Sequence, residues 1–229
     1  MVKKKFAVFD IDGTIFRSSL LIEITDALIQ AGIFKPRVRK IYEHAFKNWL
    51  DRKDSYEKYI SAVVKAYMEN IKGAEHKKFI SVAKKAADFH KNRVYRYTRD
   101  LVKDLKRRGY YLLAVSNSPK IILDEFCGTL GFDKVYGRIY DIDKKGKFTG
   151  KIVFEDEISD KEKILNRAIK KGNLTLKGSI GVGDTEADIA LLKNVENPIC
   201  FNPNQKLLTY AKRAGWKVVV ERKDVVYEF

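Results

Sequence analysis

The sequence predicts an α/β fold in three layers, α/β/α, on a parallel sheet, interrupted early by an all-helical cap and later by a small β-hairpin. Three observations carry that prediction. From Thr98 onward, short apolar runs alternate with helix-period segments, the pattern of repeated strand–helix units. From about Ile15 to Arg93 the periodicity is helical only. The first apolar run, Phe6-Ala7-Val8-Phe9, ends in Asp10-Ile11-Asp12-Gly13-Thr14, with two carboxylates at i and i+2 and then a glycine. Asp is depleted in strands and costly to bury unpaired, so this strand end reads as a binding position, most naturally for a divalent cation with oxygen ligands.

Residues 5–10 are the first buried strand. Leu21, Ile24, Ala27 and Leu28 then fall at helical spacing ahead of Gly32, a helix stop, and helical patterns also fit residues 36–50, 54–70 and 75–90. Thr98 is the expected cap of a helix carrying Leu101, Val102 and Leu105, closed by Gly109. Residues 110–115 form a continuous apolar run, as in a strand covered on both faces. Asp143-Lys144-Lys145-Gly146-Lys147 has hairpin-turn chemistry within residues 138–155. Ser159 and Glu162 make a capping box for a helix with Ile164, Leu165, Ala168 and Ile169 on one face. Residues 179–182, 198–201 and 216–220 read as strands, with helices over 185–193 and 205–214. The expected division is a core of residues 1–15 and 94–229, with the cap over 16–93.

The 229 residues are 45% hydrophobic and 33% charged, an ordinary globular composition with no apolar run of the roughly 20 residues that span a bilayer. Lys3, Lys4 and Lys5 precede an apolar run, but Asp10 and Asp12 interrupt it at once, which argues against a signal peptide. Cys127 and Cys200 lack metal-type spacing and read as reduced, packed thiols of a cytoplasmic protein. The net charge is +16, and residues 35–93 alone hold 16 Lys/Arg against 7 Asp/Glu, a net +9. A lysine-rich solvated surface is the plain reading; attraction of anionic substrates or nucleic acid is the other.

Chemistry-bearing residues stand at the carboxyl ends of the proposed strands, where open α/β sheets hold ligands. They are Asp10 and Asp12, then Ser116-Asn117-Ser118-Pro119, then Lys161 in the first turn of its helix, then Gly183-Asp184-Thr185-Glu186-Ala187-Asp188. Singly, Ser-Asn-Ser suits a turn, Lys161 a solvated charge, and Asp184 with Asp188 a helix start. In this order they resemble the haloacid dehalogenase superfamily, specifically its phosphatases, in D-x-D-G-T, a strand ending in Ser, an upstream Lys and G-D-x-x-x-D. The helical insertion after the first motif and the Lys-Gly hairpin look most like the phosphoserine-phosphatase-like branch.

The resemblance implies a Rossmann-like core and a Mg²⁺-dependent phosphomonoester hydrolase acting on a small phosphorylated substrate through an aspartyl-phosphate. Asp10 is then the nucleophile, and Mg²⁺ is held by the carboxylates of Asp10 and Asp184 and the backbone carbonyl of Asp12. The Asp12 side chain protonates the leaving alkoxide and then takes a proton from water, a task that dehalogenation does not need. Ser116 and the N–H of Asn117 hold a phosphoryl oxygen, Lys161 supplies positive charge, Thr14 positions the loop, and Asp188 supports the site or ligates through water. Two departures bear on the substrate. Where relatives place a Glu that binds the ammonium of phosphoserine, this chain has Arg17-Ser18-Ser19-Leu20, with Glu23 a turn later; and Ser-Asn-Ser stands where Ser-Gly-Gly is usual. Arg17 and Glu23 are accordingly the candidate substrate-selecting residues. A phosphotransferase of the same chemistry is one alternative. An idle, basic nucleic-acid-binding relative is another, resting on Tyr42, Trp49, Tyr56, Tyr59 and Tyr67 among the lysines, although helical spacing sends most of those rings into the cap's own core.

Overall fold

The computed structural model describes residues 3–153 and 160–229. Strand β1 (Lys4–Phe9) runs through the middle of an eight-stranded sheet, between β2 (Tyr111–Pro119) and β5 (Leu174–Gly183). Beyond β2 come β3 (Lys134–Ile142) and β4 (Phe148–Val153); beyond β5 come β6 (Asn197–Phe201), β7 (Lys217–Arg222) and β8 (Val225–Glu228). The strands from β3 to β7 are parallel, and both edge pairs are antiparallel.

Alternation along β1 builds the layers. Phe6 and Val8 face one side, where Leu165 and Ala168 of α7 (Lys161–Gly172), Leu191 and Leu192 of α8 (Ile189–Leu192) and Leu207 of α9 (Gln205–Ala214) cover them. Ala7 and Phe9 face the other side, against Val102 and Leu105 of α5 (Arg96–Arg107) and Ile122 and Phe126 of α6 (Lys120–Leu130). Both faces are buried, which is why the parallel strands read as unbroken apolar runs.

Between β1 and α5 stand α1 (Leu20–Gln30), a short 3₁₀ turn (Pro36–Val38), α2 (Arg39–Leu50), α3 (Tyr56–Ile71) and α4 (His76–His90). Their apolar stripes meet around Val63, Tyr67, Phe79 and Ala83, in one cluster with the Phe9 face of the sheet. Tyr42, Tyr59 and Tyr67 are buried there and Trp49 stacks on Tyr59 at 5.5 Å, so of the five rings offered for nucleic acid only Tyr56 is exposed. Cys127 and Cys200 are buried free thiols, and burial pushes both up, Cys200 to about 12. No helix among the described residues is long and apolar enough to cross a membrane.

Several expected boundaries move. Thr98 does not cap α5: Tyr95 occupies the N-cap, and the buried Thr98 hydroxyl donates to the carbonyl of Thr14 at 2.9 Å. The N-cap of α7 is Asp160, whose carboxylate accepts from the amides of Glu162 and Lys163; Ser159 lies outside the described residues. The helix expected over 185–193 is a 3₁₀ turn (Glu186–Asp188) followed by α8. Strand β2 continues to Pro119, so Ser116-Asn117-Ser118 belongs to it. Val115 pairs with Tyr136 and Pro119 with Arg138, which leaves two extra residues on β2, a bulge. Gly137 of β3 permits it, because a Cβ there would lie 2.9 Å from the Ser118 carbonyl oxygen.

The β3–β4 hairpin fastens the helical insertion to the sheet edge. Gly73 N donates to Phe148 O at 2.8 Å, Phe148 N to Ala74 O at 3.0 Å, and His76 N to Gly146 O at 2.9 Å. The Phe148 ring packs edge-on against Phe79 at 5.1 Å. Phe148→Ala is therefore expected to cost about 3–5 kcal/mol in urea unfolding, as large-to-small core changes do. Amide exchange should accelerate first at Gly73, His76 and Phe148; unchanged protection there would show that the hairpin does not hold these helices.

Candidate active site

The site lies past the carboxyl ends of β1 and β5. Asp10 follows β1, and its amide donates to Val182 O at 2.9 Å, so the ladder itself sets the position of the carboxylate. Gly13 turns the chain with φ +81°, and a Cβ there would collide with the Asp184 carboxylate. The buried Thr14 hydroxyl donates to Asp184 Oδ1 at 3.0 Å. The -Asp-Gly-Thr- of the first motif thus gives close approach to the fourth motif, then a hydrogen bond to it.

Lys161 enters from the first turn of α7 and is 7% exposed. Its ammonium donates to Asp10 Oδ1 and to Asp188 Oδ1, both at 2.6 Å. Burial works against its charge, but the two carboxylates prevail and hold it above the ordinary lysine range. Asp188 is wholly buried, and its second oxygen accepts from the amides of Asp184 at 3.1 Å and Thr185 at 3.0 Å. Asp188 therefore anchors both Lys161 and the loop that carries Asp184.

Asp12 faces a different environment. Its Oδ1 accepts from Leu20 N at 2.5 Å, and its Oδ2 accepts from the hydroxyls of Ser116 and Ser118, each at 2.7 Å. The bulge in β2 aims both serines inward and leaves Asn117 exposed. Ser116, expected on a phosphoryl oxygen, here donates its hydroxyl to Asp12. Ser118 is a residue that the motif match did not single out, although the i, i+2 repeat of Ser across Asn117 was its signal.

At the mouth, Glu23 is not free. Its carboxylate takes Arg93 Nη1 at 2.7 Å, His90 Nε2 at 3.0 Å and the Ser18 hydroxyl at 2.8 Å. Arg17 is exposed, with its guanidinium 5.5 Å from the centre of the Tyr95 ring. Tyr56, 41% exposed in the first turn of α3, is pushed up by burial first and then by nearby negative charge, that of Asp12 foremost.

The carboxylates of Asp10, Asp184 and Asp188 each offer an oxygen within 4.8 Å of the others. Asp12, included among the expected metal ligands, contributes no side-chain oxygen to this trio. Among the described residues, Lys161 is the one cation paired with members of this trio, Asp10 and Asp188. Burial first, then Asp188 and Asp12, push Asp10 up to about 7 against the pull of Lys161; burial, Asp10 and Asp188 push Asp184 well above the usual carboxylate range. Burial also raises Asp12 against its hydrogen bonds. An all-oxygen donor set with surplus negative charge fits a hard divalent cation, and thiolate or imidazole ligands are absent from the trio.

The family model for haloacid dehalogenase-like hydrolases matches residues 7–193. A phosphoserine phosphatase of Methanocaldococcus jannaschii is 28% identical over 202 residues, 87% of this chain and 86% of that protein. A histidinol-phosphatase of Neisseria meningitidis is 23% identical over 225 residues, 94% of this chain and 98% of that one. Among solved structures, a Bordetella pertussis protein of unknown function superposes with a TM-score of 0.74 at 17% identity, covering 95% of this chain and 98% of that one. A phosphoserine phosphatase captured as a phospho-aspartyl intermediate analogue gives 0.62 at 24% identity, covering 97% and 96%. With four motifs converging on one site and a family model spanning most of its length, the chain belongs to the haloacid dehalogenase-like hydrolases and is phosphoserine-phosphatase-like among them.

Proposed function

We propose that the protein is a Mg²⁺-dependent phosphomonoester hydrolase that acts through an aspartyl-phosphate on a small phosphorylated metabolite. One observation carries the reading: two carboxylates two residues apart have opposite surroundings. Asp10 joins an acid-rich cluster suited to a cation, whereas Asp12 is held by three hydrogen-bond donors. Paired acids in unlike environments mark a division between nucleophile and proton carrier. Residues 1–15 and 94–229 are the proposed catalytic core, and residues 16–93 the proposed cap.

The carboxylates of Asp10 and Asp184 and the Asp12 carbonyl would hold Mg²⁺, which when bound would supply the positive charge that lets an anionic nucleophile meet an anionic phosphoryl group. One Asp10 oxygen attacks phosphorus while Lys161 holds the other. As the bond to the leaving oxygen breaks, Asp12 delivers its proton there; its raised pKa favours that protonated form. Water then attacks the phosphorus of the acylphosphate, Asp12 takes a proton back, and Asp10 is released with inorganic phosphate. Lys161 supplies positive charge beside the phosphoryl oxygens. In the substrate complex Ser116 turns from Asp12 to a phosphoryl oxygen, beside the N–H of Asn117.

The Glu23 pairing argues against phosphoserine. A carboxylate already taken by Arg93 and His90 is a poor receiver for a substrate ammonium. A phosphomonoester without a free amine, carrying further negative charge, suits the exposed Arg17 and the +9 of residues 35–93. Phosphoserine should give a lower kcat/KM than sugar phosphates, nucleotides or lysophosphatidate; a tenfold lead for phosphoserine would overturn this substrate class.

Asp10→Asn should abolish nearly all phosphate release while circular dichroism stays unchanged. Turnover within about tenfold of the parent, roughly 1.4 kcal/mol of barrier, would remove Asp10 as nucleophile.

Metal binding should depend on pH. With Asp10 and Asp184 raised above 3.8, the metal-free folded chain keeps protons that the unfolded chain has lost, so their contribution to stability falls as pH rises from about 4 to about 7. A cation needs the ionised carboxylates and replaces those protons. The Mg²⁺-induced rise in Tm should therefore be small at pH 5, grow toward pH 8, and vanish in Asp184→Ala. Full activity in excess EDTA would exclude this mechanism.

A further inference from the structure

The first two amides of α1 serve the catalytic carboxylate. Leu20 N donates to Asp12 at 2.5 Å, and Leu21 N donates at 3.1 Å to the Ser118 hydroxyl, which itself donates to Asp12. Ser19, at the N-cap, makes no side-chain capping bond, so Asp12 and Ser118 cap this helix from outside it. Where α1 sits therefore decides where the Asp12 carboxyl points.

Glu23 is one turn along the same helix and is 15% exposed. Its three partners come from each piece of chain that joins the helical insertion to the sheet. Ser18 is on the outgoing segment, His90 ends α4, and Arg93 is on the returning segment. The two segments are themselves paired, with Arg17 N donating to Arg93 O and Tyr95 N to Ile15 O, both at 3.0 Å. The Arg93 guanidinium also lies 5.8 Å from the centre of the Phe16 ring, and His90 meets that ring edge-on at 5.9 Å.

We propose that Glu23 is a positioning residue for the proton transfer: its clasp on Arg93, His90 and Ser18 holds the first turn of α1 in place, and α1 holds the Asp12 carboxyl toward the leaving oxygen. This rests on the reading of Asp12 as proton donor. The step it governs is the passage of the Asp12 proton to the leaving-group oxygen as the P–O bond breaks and the bonding electron pair goes to that oxygen. General acid catalysis contributes about 10²–10⁴-fold and depends on orientation, so a loosened α1 should slow only reactions that need the proton.

The test compares glycerol phosphate, whose alkoxide must be protonated, with p-nitrophenyl phosphate, whose phenolate departs as the anion. Glu23→Gln keeps the shape and removes the charge that Arg93 and His90 hold. It should lower kcat on glycerol phosphate about tenfold, leave KM within about twofold, and lower kcat on p-nitrophenyl phosphate by less than about threefold. Arg93→Lys, which keeps the charge and loses the guanidinium fork, should show a smaller split in the same direction, and it carries the test if Glu23→Gln does not fold. Equal losses on both substrates would mean that Glu23 is merely structural, and a change confined to KM would return it to substrate binding; either overturns the proposal. Asp12→Asn separates the two layers of the argument. A large substrate split there with none in Glu23→Gln overturns the role of Glu23 alone, whereas no split in Asp12→Asn overturns the proton-donor reading and this inference with it.

Discussion

The Lys161 ammonium sits between two buried carboxylates, Asp10 and Asp188, and most of the site is organised by that shared charge. Removing one partner from a buried ion pair costs about 3–5 kcal/mol, because the remaining charge is left without water or a counter-ion. Here the network spans three elements: the end of β1, the first turn of α7, and the loop after β5. Asp188 extends it by accepting from the amides of Asp184 and Thr185, so the loop that carries Asp184 is set by the same residue that holds Lys161. With three acids around one lysine the arrangement stays electrostatically incomplete, which prepares a cation position.

Asp12 is governed by a second, nearly separate network. Two inserted residues in β2 turn Ser116 and Ser118 onto it, and α1 points its amino end at it. The sheet thus delivers Asp10 and Asp184 directly, whereas Asp12 is shared between the sheet and the helical insertion. In the proposed reaction, the nucleophile would be mounted on a central strand and the proton carrier on a junction between the sheet and the helical insertion.

The convergence of carboxylates at the strand ends was legible in the sequence because carboxylates and glycines in apolar runs contradict simple core building. The inserted helices were legible from their unbroken period. What escaped were features that depend on partners far away along the chain. Thr98 has a capping side chain, but its hydroxyl found the Thr14 carbonyl, and Tyr95 took the cap. The bulge at Ser116-Asn117-Ser118 needs the register of β3 and the bare backbone of Gly137, neither visible within β2 itself. Glu23 looked available for a substrate because His90 and Arg93, 67 and 70 positions further on, give no local sign of meeting it. Strand β8 is a short edge that follows a turn with Lys223 at φ 57°, where neither glycine nor asparagine announces the reversal.

The capping of α1 from outside has a bearing on how such a chain can change over evolutionary time. In an ordinary helix the capping residue belongs to the helix and can drift without touching chemistry. Here the caps are Asp12 and Ser118, so a substitution that removes the Asp12 carboxylate also strips the Leu20 amide of its acceptor and frees the Ser118 hydroxyl that serves the Leu21 amide. A descendant that abandoned catalysis to become a binding protein would meet less resistance by altering a carboxylate that caps nothing, such as Asp184, than by altering Asp12. Among inactive descendants of this lineage, Asp12 should outlast the activity it served.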